Sequence, residues 1–377
     1  MRFLSCSLLA ILVLTNARPQ LQAEAATGVS SLVIGLLLPP EEPEAANLRQ
    51  GIQIAVAHAN QLPGATVSLL VRGRVGQWGT DGEEAGRMVL DDGVRGLIAP
   101  PSGAASHLAL QIAGRTATPV ISLCADSSVV GAGIPWMVRI VPGTREEAQL
   151  LFATFRTSSQ GRPFRWGAVV PIERAGREAA SDLRAAAEAA VCSLDKPVEV
   201  SSKLKNFSDL TTQLLAPRPD GILLWLEAPG AGALAKSLRA AGFRGQLVGP
   251  GRLQSAAFAA HAGSAVDGFV LARPVLEAAS QSVADRFVAA YRQQFGTEPD
   301  TTTRLAYDAA VLLTNLLRKS GDHPPRAAFP ITGEQSGVSG NLKFDQAGNR
   351  LVPLELVQFR DGRFTPLAGK TPAALTP

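Results

Sequence analysis

Short hydrophobic runs alternate with longer amphipathic stretches along most of the chain. The first run, residues 32–38, predicts a buried strand, and apolar residues at helical spacing in 46–61 predict a helix after it. Further strands are predicted at 67–71 and 96–99, with a helix between them at 81–90. This repeated order of strand and helix is typical of a doubly wound α/β fold with a parallel sheet.

The stretch 93–127 organises this part of the chain. Its buried strand stops at the loop 100–103, where two prolines, a serine and a glycine favour a tight turn, and an amphipathic helix follows. A second buried strand at 119–122 ends in a small polar loop at 124–127. Because ligands of parallel sheets bind outside the carboxyl ends of the strands, these two loops are the first candidate site.

A second series of strands and helices begins after an apolar segment at 136–142, where the chain is predicted to cross to another unit. Strands are predicted at 166–171, 198–201, 221–226, 246–249 and 267–271, with helices between them. A single core rarely holds one sheet of so many strands, so two lobes are expected.

The last hundred residues differ from this alternation. A second crossing is predicted at 273–274, and two long helices, 281–295 and 303–320, follow with no strand between them. A strand is predicted at 340–345, and the Asp-Gly pair at 361–362 predicts the turn of a terminal β-hairpin.

Composition narrows the class of protein. With 377 residues the chain is long enough for two domains of ordinary size. A hydrophobic content of 46% and a charged content of 18% are typical of a globular protein and exclude a disordered one. The net charge of +4 comes without a basic run or a basic patch interleaved with aromatic residues, so nucleic-acid binding is not indicated.

The first 25 residues have the pattern of a secretory signal peptide. Arg2 provides the positive start, residues 3–14 the apolar core, and residues 23–25 an Ala-Glu-Ala cleavage site. The apolar core is too short to span a bilayer, although an uncleaved anchor stays open as an alternative. We therefore expect an exported, periplasmic protein.

Reactive side chains are few. Removal of the signal would leave Cys124 and Cys192, which could pair in an oxidising compartment although they are expected in different lobes. The four histidines are scattered, and no phosphate-binding, nucleophile-elbow, zinc-protease or C-x-x-C motif occurs in the sequence. No enzyme, cofactor or metal is therefore predicted.

Several stretches, in order along the chain, resemble one known family. They are the opening strand at 32–40, the D-G-V strand and S-G loop at 91–104, the P-V-I-S strand at 119–122, the Y-D-A of 307–309, the G-x-x-G and F-D-x-x-G segment at 337–348, and the Q-x-x-D-G-x-F of 358–364. Together they resemble the type I periplasmic binding proteins, and within them the leucine/isoleucine/valine-binding receptors of ABC transporters.

The resemblance implies two doubly wound lobes that are joined by three crossover segments and close on a small ligand by a hinge. Lobe one would comprise 29–143 and 273–338, and lobe two 144–272 and 339–370, with 371–377 as a frayed end. The protein would be monomeric and would deliver its ligand to an inner-membrane ABC permease.

The lobe-one site residues follow from the same resemblance. Ser102 and Gly103 match the loop that bonds a ligand carboxylate, and Ala125, Asp126 and Ser127 stand where a backbone amide and a hydroxyl are supplied. Asp126 departs from the pattern, because a second carboxylate would repel an anionic ligand. The alternative is that Asp126 caps a helix with its charge turned away.

The lobe-two side departs further from the family. Ala175 replaces a tyrosine, Glu227 replaces an aromatic residue, and Gly251, followed by Arg252, stands where an acidic residue would hold an α-ammonium group. Either Glu227 or Asp126 provides that charge, or the ligand is not a standard amino acid.

Three further positions stand outside the two loop sets. Tyr307, in the Y-D-A motif, completes the predicted ligand-binding set. Arg74 and Trp78 follow the second strand and line either the cleft or the surface.

The sequence thus predicts the solute-binding component of an ABC importer for an amino acid or a related carboxylate or amide. A ligand-sensing protein that reports to a membrane partner is the first alternative, because it would share this fold. A secreted enzyme is the second, although no nucleophile or metal set supports it.

Overall fold

A computed structural model describes residues 31–367, except 40, 41, 43, 75–78, 158–160, 276–280, 322, 324, 325, 327, 328, 330 and 332. The predicted signal peptide, Trp78 and the predicted frayed end lie outside the described residues. None of the helices in the described part of the chain has the length and apolarity needed to cross a bilayer.

The first sheet is formed by the apolar runs of the amino-terminal third. Its strands are β1 (Ser31–Leu37), β2 (Thr66–Arg72), β3 (Gly96–Ala99), β4 (Val120–Ser122) and β5 (Met137–Arg139). All pair in parallel, in the order β2-β1-β3-β4-β5. The helices between them are α1 (Ala45–Ala59), α2 (Thr80–Leu90), α3 (Gly103–Thr116) and α4 (Ser128–Gly131). Separate cores on the two faces of this sheet show that it is doubly wound.

The remaining strands form a second sheet and a short ribbon. They are β6 (Arg165–Pro171), β7 (Ser193–Leu194), β8 (Val198–Val200), β9 (Gly221–Leu224), β10 (Gln246–Gly249), β11 (Val270–Pro274), β12 (Gln335–Gly337), β13 (Gly340–Leu342), β14 (Leu354–Arg360) and β15 (Arg363–Pro366). The sheet order is β15-β14-β11-β10-β9-β6-β7, with β8 beside β6, and β12 pairs with β13 alone. The antiparallel β14–β15 hairpin confirms the turn predicted at Asp361 and Gly362.

Seven helices complete the described structure. They are α5 (Thr144–Thr154), α6 (Arg174–Ala189), α7 (Ser208–Leu215), α8 (Ala228–Ala240), α9 (Ala256–Ala262), α10 (Gln281–Phe295) and α11 (Thr301–Ser320), with short 3-10 turns at Gly251–Leu253 and Gly263–Val266. Helices α5 to α9 pack on the second sheet, and apolar side chains of α10 and α11 join the core of the first. The two-sheet α/β fold that the sequence predicted is therefore confirmed.

The third crossover between the two lobes lies further along the chain than the sequence suggested. Leu342 and Phe344 pack in the core of the first sheet, whereas β14 belongs to the second. The boundary expected between residues 338 and 339 is corrected to the segment after Phe344. The reason is that the buried Asp308 carboxylate of α11 accepts hydrogen bonds from the backbone N–H groups of Val338 and Ser339, at 2.8 Å each, and so ties the β12–β13 ribbon to the first core.

Two of the segments that cross between the lobes are hydrogen-bonded to each other. Arg139, at the end of β5, donates to Asn349 Oδ1 at 2.6 Å, and its backbone N–H donates to the Gly348 carbonyl. Arg350 donates to the carbonyls of Ile140 and Ser339 at 3.3 and 2.8 Å. The first and third crossovers are thus joined by buried guanidinium groups.

The two cysteines do not pair. Cys124 is buried in the core of the first sheet, where burial raises the pKa of its thiol to about 12, and Cys192 packs against the core of the second. Both thiols are free.

Candidate ligand-binding cleft

The carboxyl ends of the two sheets face a common cavity of about 530 Å³. Loops after β1, β3 and β4 line it from one side, and residues after β6, β9 and β10 line it from the other. Of the predicted site residues, the cavity is lined by Ser102, Gly103, Ala125, Asp126, Ala175, Glu227, Gly251 and Arg252. The structure therefore brings together most of the residues that the resemblance selected.

Two predicted site residues lie elsewhere. Ser127 donates its hydroxyl to both carboxylate oxygens of Asp182 on α6, at 2.9 and 3.0 Å. Tyr307 is only 3% exposed in the core of the first sheet, and its hydroxyl lies 3.0 Å from His58 Nδ1. The prediction for Tyr307 is corrected, because α1 and α10 cover the face of α11 that carries it.

Arg74 does not line the cleft either. Its guanidinium lies 3.4 Å from Glu84 on α2, and more than half of its side chain is exposed. Of the two locations that the sequence allowed for Arg74, the cleft and the surface, the structure shows the surface.

The loop after β3 is held by its own serine. The Ser102 side chain accepts a hydrogen bond from the Ala105 backbone N–H at 3.3 Å and so caps α3. The Ser102 backbone N–H points to the carboxylate of Glu42, where it lowers the pKa of that group against the larger effect of burial. The loop that the family resemblance assigns to a ligand carboxylate thus faces a carboxyl group of the protein itself.

Asp126 makes local hydrogen bonds at the start of α4. Its Oδ1 accepts from the Ser128 backbone N–H at 2.9 Å and from the Ser128 hydroxyl at 2.6 Å, and Oδ2 lies 3.4 Å from His107 Nε2. Burial by itself would raise the pKa of Asp126, but the hydrogen bonds from His107 and Ser128 outweigh it and lower the pKa. Asp126 therefore keeps its charge and caps the turn, as one alternative proposed, but its carboxylate is not turned away from the cleft: Oδ2 would lie 3.3 Å from a Cβ at Gly103.

Ser128, His107 and Asp126 do not form a catalytic triad. Both the Ser128 hydroxyl, at 2.9 Å, and the Asp126 carboxylate approach the same ring nitrogen, Nε2. A triad needs the carboxylate on the other ring nitrogen, where it orients the imidazole toward the nucleophile. A third group, the Arg174 guanidinium of α6, lies 3.1 Å from the same Nε2 and links the two sides of the cleft.

Gly251 has no room for the acidic side chain that the family places there. A Cβ at Gly251 would lie 2.7 Å from the Ala272 carbonyl oxygen and 2.9 Å from Glu147 Oε1. Glu147, on α5, occupies the adjacent space, and its Oε2 accepts from the Gly251 backbone N–H at 3.2 Å. A carboxylate is therefore present beside position 251, but it comes from another helix.

Two more carboxylates enter the cleft from the loop after β1. Glu44 Oε2 accepts from the Thr302 hydroxyl at 2.5 Å. Burial, with smaller contributions from neighbouring carboxylates, raises the pKa of Glu42 to about 8 and that of Glu44 to about 7. On the opposite side, Arg252 Nε lies 3.3 Å from Glu227 Oε1.

The sequence did not single out Glu42, Glu44 or Glu147. Their signals are weak, because each is one glutamate in a polar loop or helix start, and their burial depends on the approach of the two lobes. The glycine at position 176, after Ala175, has a clear structural reason. A Cβ at Gly176 would lie 1.7 Å from the Pro171 carbonyl oxygen, so no larger residue fits at this point of the cleft wall.

The chain belongs to the periplasmic binding protein family, whose model matches residues 32–343. A comparison with curated proteins finds no match.

Solved structures of solute-binding proteins have the same fold. The leucine-binding protein LivK of Thermotoga maritima superposes with a TM-score of 0.80 at 20% identity, over 89% of this chain and 98% of its own. An ABC-transporter solute-binding protein of R. palustris, in complex with benzoate, gives 0.78 at 19% identity, over 90% and 96%. LivJ of Streptococcus pneumoniae, in complex with isoleucine, gives 0.77 at 16%, over 92% and 100%. At these identities the likeness shows the type I periplasmic binding protein fold.

Proposed function

We propose that the chain is the periplasmic solute-binding component of an ABC-type importer. It captures a small ligand between its two lobes by hinge closure and delivers it to a membrane permease. The observation that carries this proposal is the cavity of about 530 Å³ that the strand ends of both sheets line.

Related proteins support the ligand class. Solved structures of similar fold include a leucine-binding protein, a complex with isoleucine and a complex with benzoate. The apolar part of the cavity wall, with Leu48, Leu123 and Trp225, suits the hydrocarbon part of such molecules. We therefore propose an amino acid or a related carboxylate or amide as the starting set of ligands.

Thermal unfolding tests this proposal. The protein from Ala26 onward, without the proposed signal peptide, is melted alone and with a panel of amino acids, amines, amides and carboxylates. A ligand at about 100 times its dissociation constant should add about 2.7 kcal/mol to the free energy of unfolding, which gives a clear rise in melting temperature. No rise with any member of the panel would count against solute capture.

A further inference from the structure

Four acidic side chains of the cleft lie within reach of the Arg252 charge. Arg252 pairs with Glu227, and its charge also acts on the carboxyl groups of Glu42, Glu44 and Glu147. Acidic side chains outnumber the two arginines, Arg174 and Arg252, that line the cavity, and buried carboxyl groups are costly to charge unless a positive group pairs with them. The cleft therefore favours the entry of additional positive charge.

Glu147 is the most buried of the four. Its side chain lines the cavity, and the residue is only 6% exposed. Oε2 accepts from the Gly251 backbone N–H, whereas Oε1 receives no hydrogen bond from the residues that the structure describes. Burial raises the pKa of this carboxyl group to about 8. Because this carboxyl group lines the cavity, a positively charged ligand that enters the cavity can pair with it.

The loop that should bind a ligand carboxylate is unsuited to an anion here. The Ser102 backbone N–H points to the Glu42 carboxyl group, and the Asp126 carboxylate reaches the space beside Gly103, where a Cβ would lie 3.3 Å from Oδ2. A carboxylate of the ligand would meet two carboxylates of the protein at this place.

The missing charge is organic rather than metallic. Among the described residues, no three His, Cys, Asp or Glu side chains are grouped so that they could hold a metal ion. The cavity also has an apolar wall, which a hydrated metal ion would not use but a hydrocarbon chain or ring would.

We propose that the ligand is a small organic cation, an amine with an apolar body, whose positive charge is balanced by the glutamates that line the cleft, Glu42, Glu44 and Glu147, and which needs no carboxylate. This inference rests on the proposed function and names the ligand class of the same cleft. It replaces the sequence-based expectation that Glu227 or Asp126 holds the cation, because Glu227 is paired with Arg252 and Asp126 is held by Ser128.

Matched ligands separate this inference from the proposed function. Calorimetric titration compares 3-methylbutylamine, leucine and 4-methylpentanoate, which differ in the ammonium and carboxylate groups, and then 2-phenylethylamine, phenylalanine and 3-phenylpropanoate. We expect at least one of the two amines to bind, and the acid of the same series to bind at least about tenfold more weakly. Binding by the acids alone would overturn the inference and leave solute capture intact. Binding by none of the six would overturn the inference and, with a negative thermal panel, the proposed function as well.

Charge-neutral variants test the residues. Glu42→Gln and Glu147→Gln should each weaken binding of the amine by about tenfold or more, because each removes a charged hydrogen-bond acceptor. Glu188→Gln, at an exposed position of α6 outside the cleft, is the matched control and should bind as the wild type does. Circular dichroism verifies that the variants are folded. Unchanged amine affinity in both folded variants would overturn the assignment.

Proton release gives a second readout. An ammonium group that enters the cleft favours the charged form of the nearby carboxyl groups, so protons should leave the protein on binding. The apparent binding enthalpy near neutral pH should then depend on the ionisation enthalpy of the buffer, and this dependence should decrease in Glu42→Gln. Uptake of protons on amine binding would contradict the proposal.

Discussion

Individual carboxyl groups determine which charges line this cleft. The family resemblance places a ligand carboxylate at the loop 100–103, but here the Ser102 backbone N–H points to Glu42, and Glu147 fills the space beside Gly251. Each of these contacts joins residues that are far apart in sequence. The motif at 100–103 therefore predicted where the site lies, but it could not predict which charged groups line it.

The Glu42 carboxyl group predicts a pH dependence of stability in the empty protein. Burial raises its pKa from 4.5 to about 8, so between these values the folded protein binds a proton that the unfolded chain has lost. The free energy of unfolding therefore falls as pH rises through this window, and Glu42→Gln removes that loss. We expect Glu42→Gln to exceed the wild type by on the order of 1 kcal/mol or more at about pH 8, and to match it near pH 4.5.

Urea unfolding of wild type and variant at the two pH values measures this difference. Glu188→Gln, which is exposed, serves as the control and should show the wild-type pH dependence. An equal stability difference between Glu42→Gln and wild type at both pH values would show that burial does not hold the proton.

Helix α6 connects the two sides of the cleft. Its Asp182 accepts from Ser127, its Arg174 reaches His107, and Arg145 of α5 also donates to Asp182 at 3.1 Å. Ser127 precedes α4 and His107 lies on α3, both packed on the first sheet, so these hydrogen bonds join the two lobes. If the lobes close on a ligand as proposed, these bonds would stabilise the closed arrangement rather than either lobe.

Ser127→Ala should therefore weaken ligand binding without a direct contact to the ligand. It removes a charge-assisted hydrogen bond to Asp182, so we expect a loss of about fivefold to tenfold in affinity. Calorimetric titration with the strongest ligand of the panel provides the measurement. Ser181→Ala, an exposed neighbour of Asp182 on α6, should leave the affinity unchanged. Equal affinity of Ser127→Ala and wild type would mean that this bond does not contribute to closure.

The helices and strands were largely predictable from the sequence. Continuous apolar runs indicate the parallel strands, and polar residues, glycines and prolines indicate where the strands end. The terminal hairpin was also predictable from its Asp-Gly turn. Two features were not. Tyr307 lies in a helix whose buried face extends almost all round, so sequence could not tell core from cleft, and the shift of the lobe boundary past Phe344 depends on the tertiary hydrogen bonds of Asp308.

At the scale of the whole molecule, two parallel sheets direct their carboxyl ends to one cavity, and buried arginines join the segments that connect them. The proposed hinge motion would let each lobe keep its core while the cleft changes width. The central claim is that a small ligand binds inside that cleft.

Blocking the cleft tests this claim most directly. Ala175 is exposed on the cleft side of α6, and Ala189 is exposed at the other end of the same helix. In calorimetric titrations with the strongest ligand of the panel, Ala175→Trp should abolish binding because the indole fills ligand space, and Ala189→Trp should bind as the wild type does. Full binding by a folded Ala175→Trp protein would contradict the account.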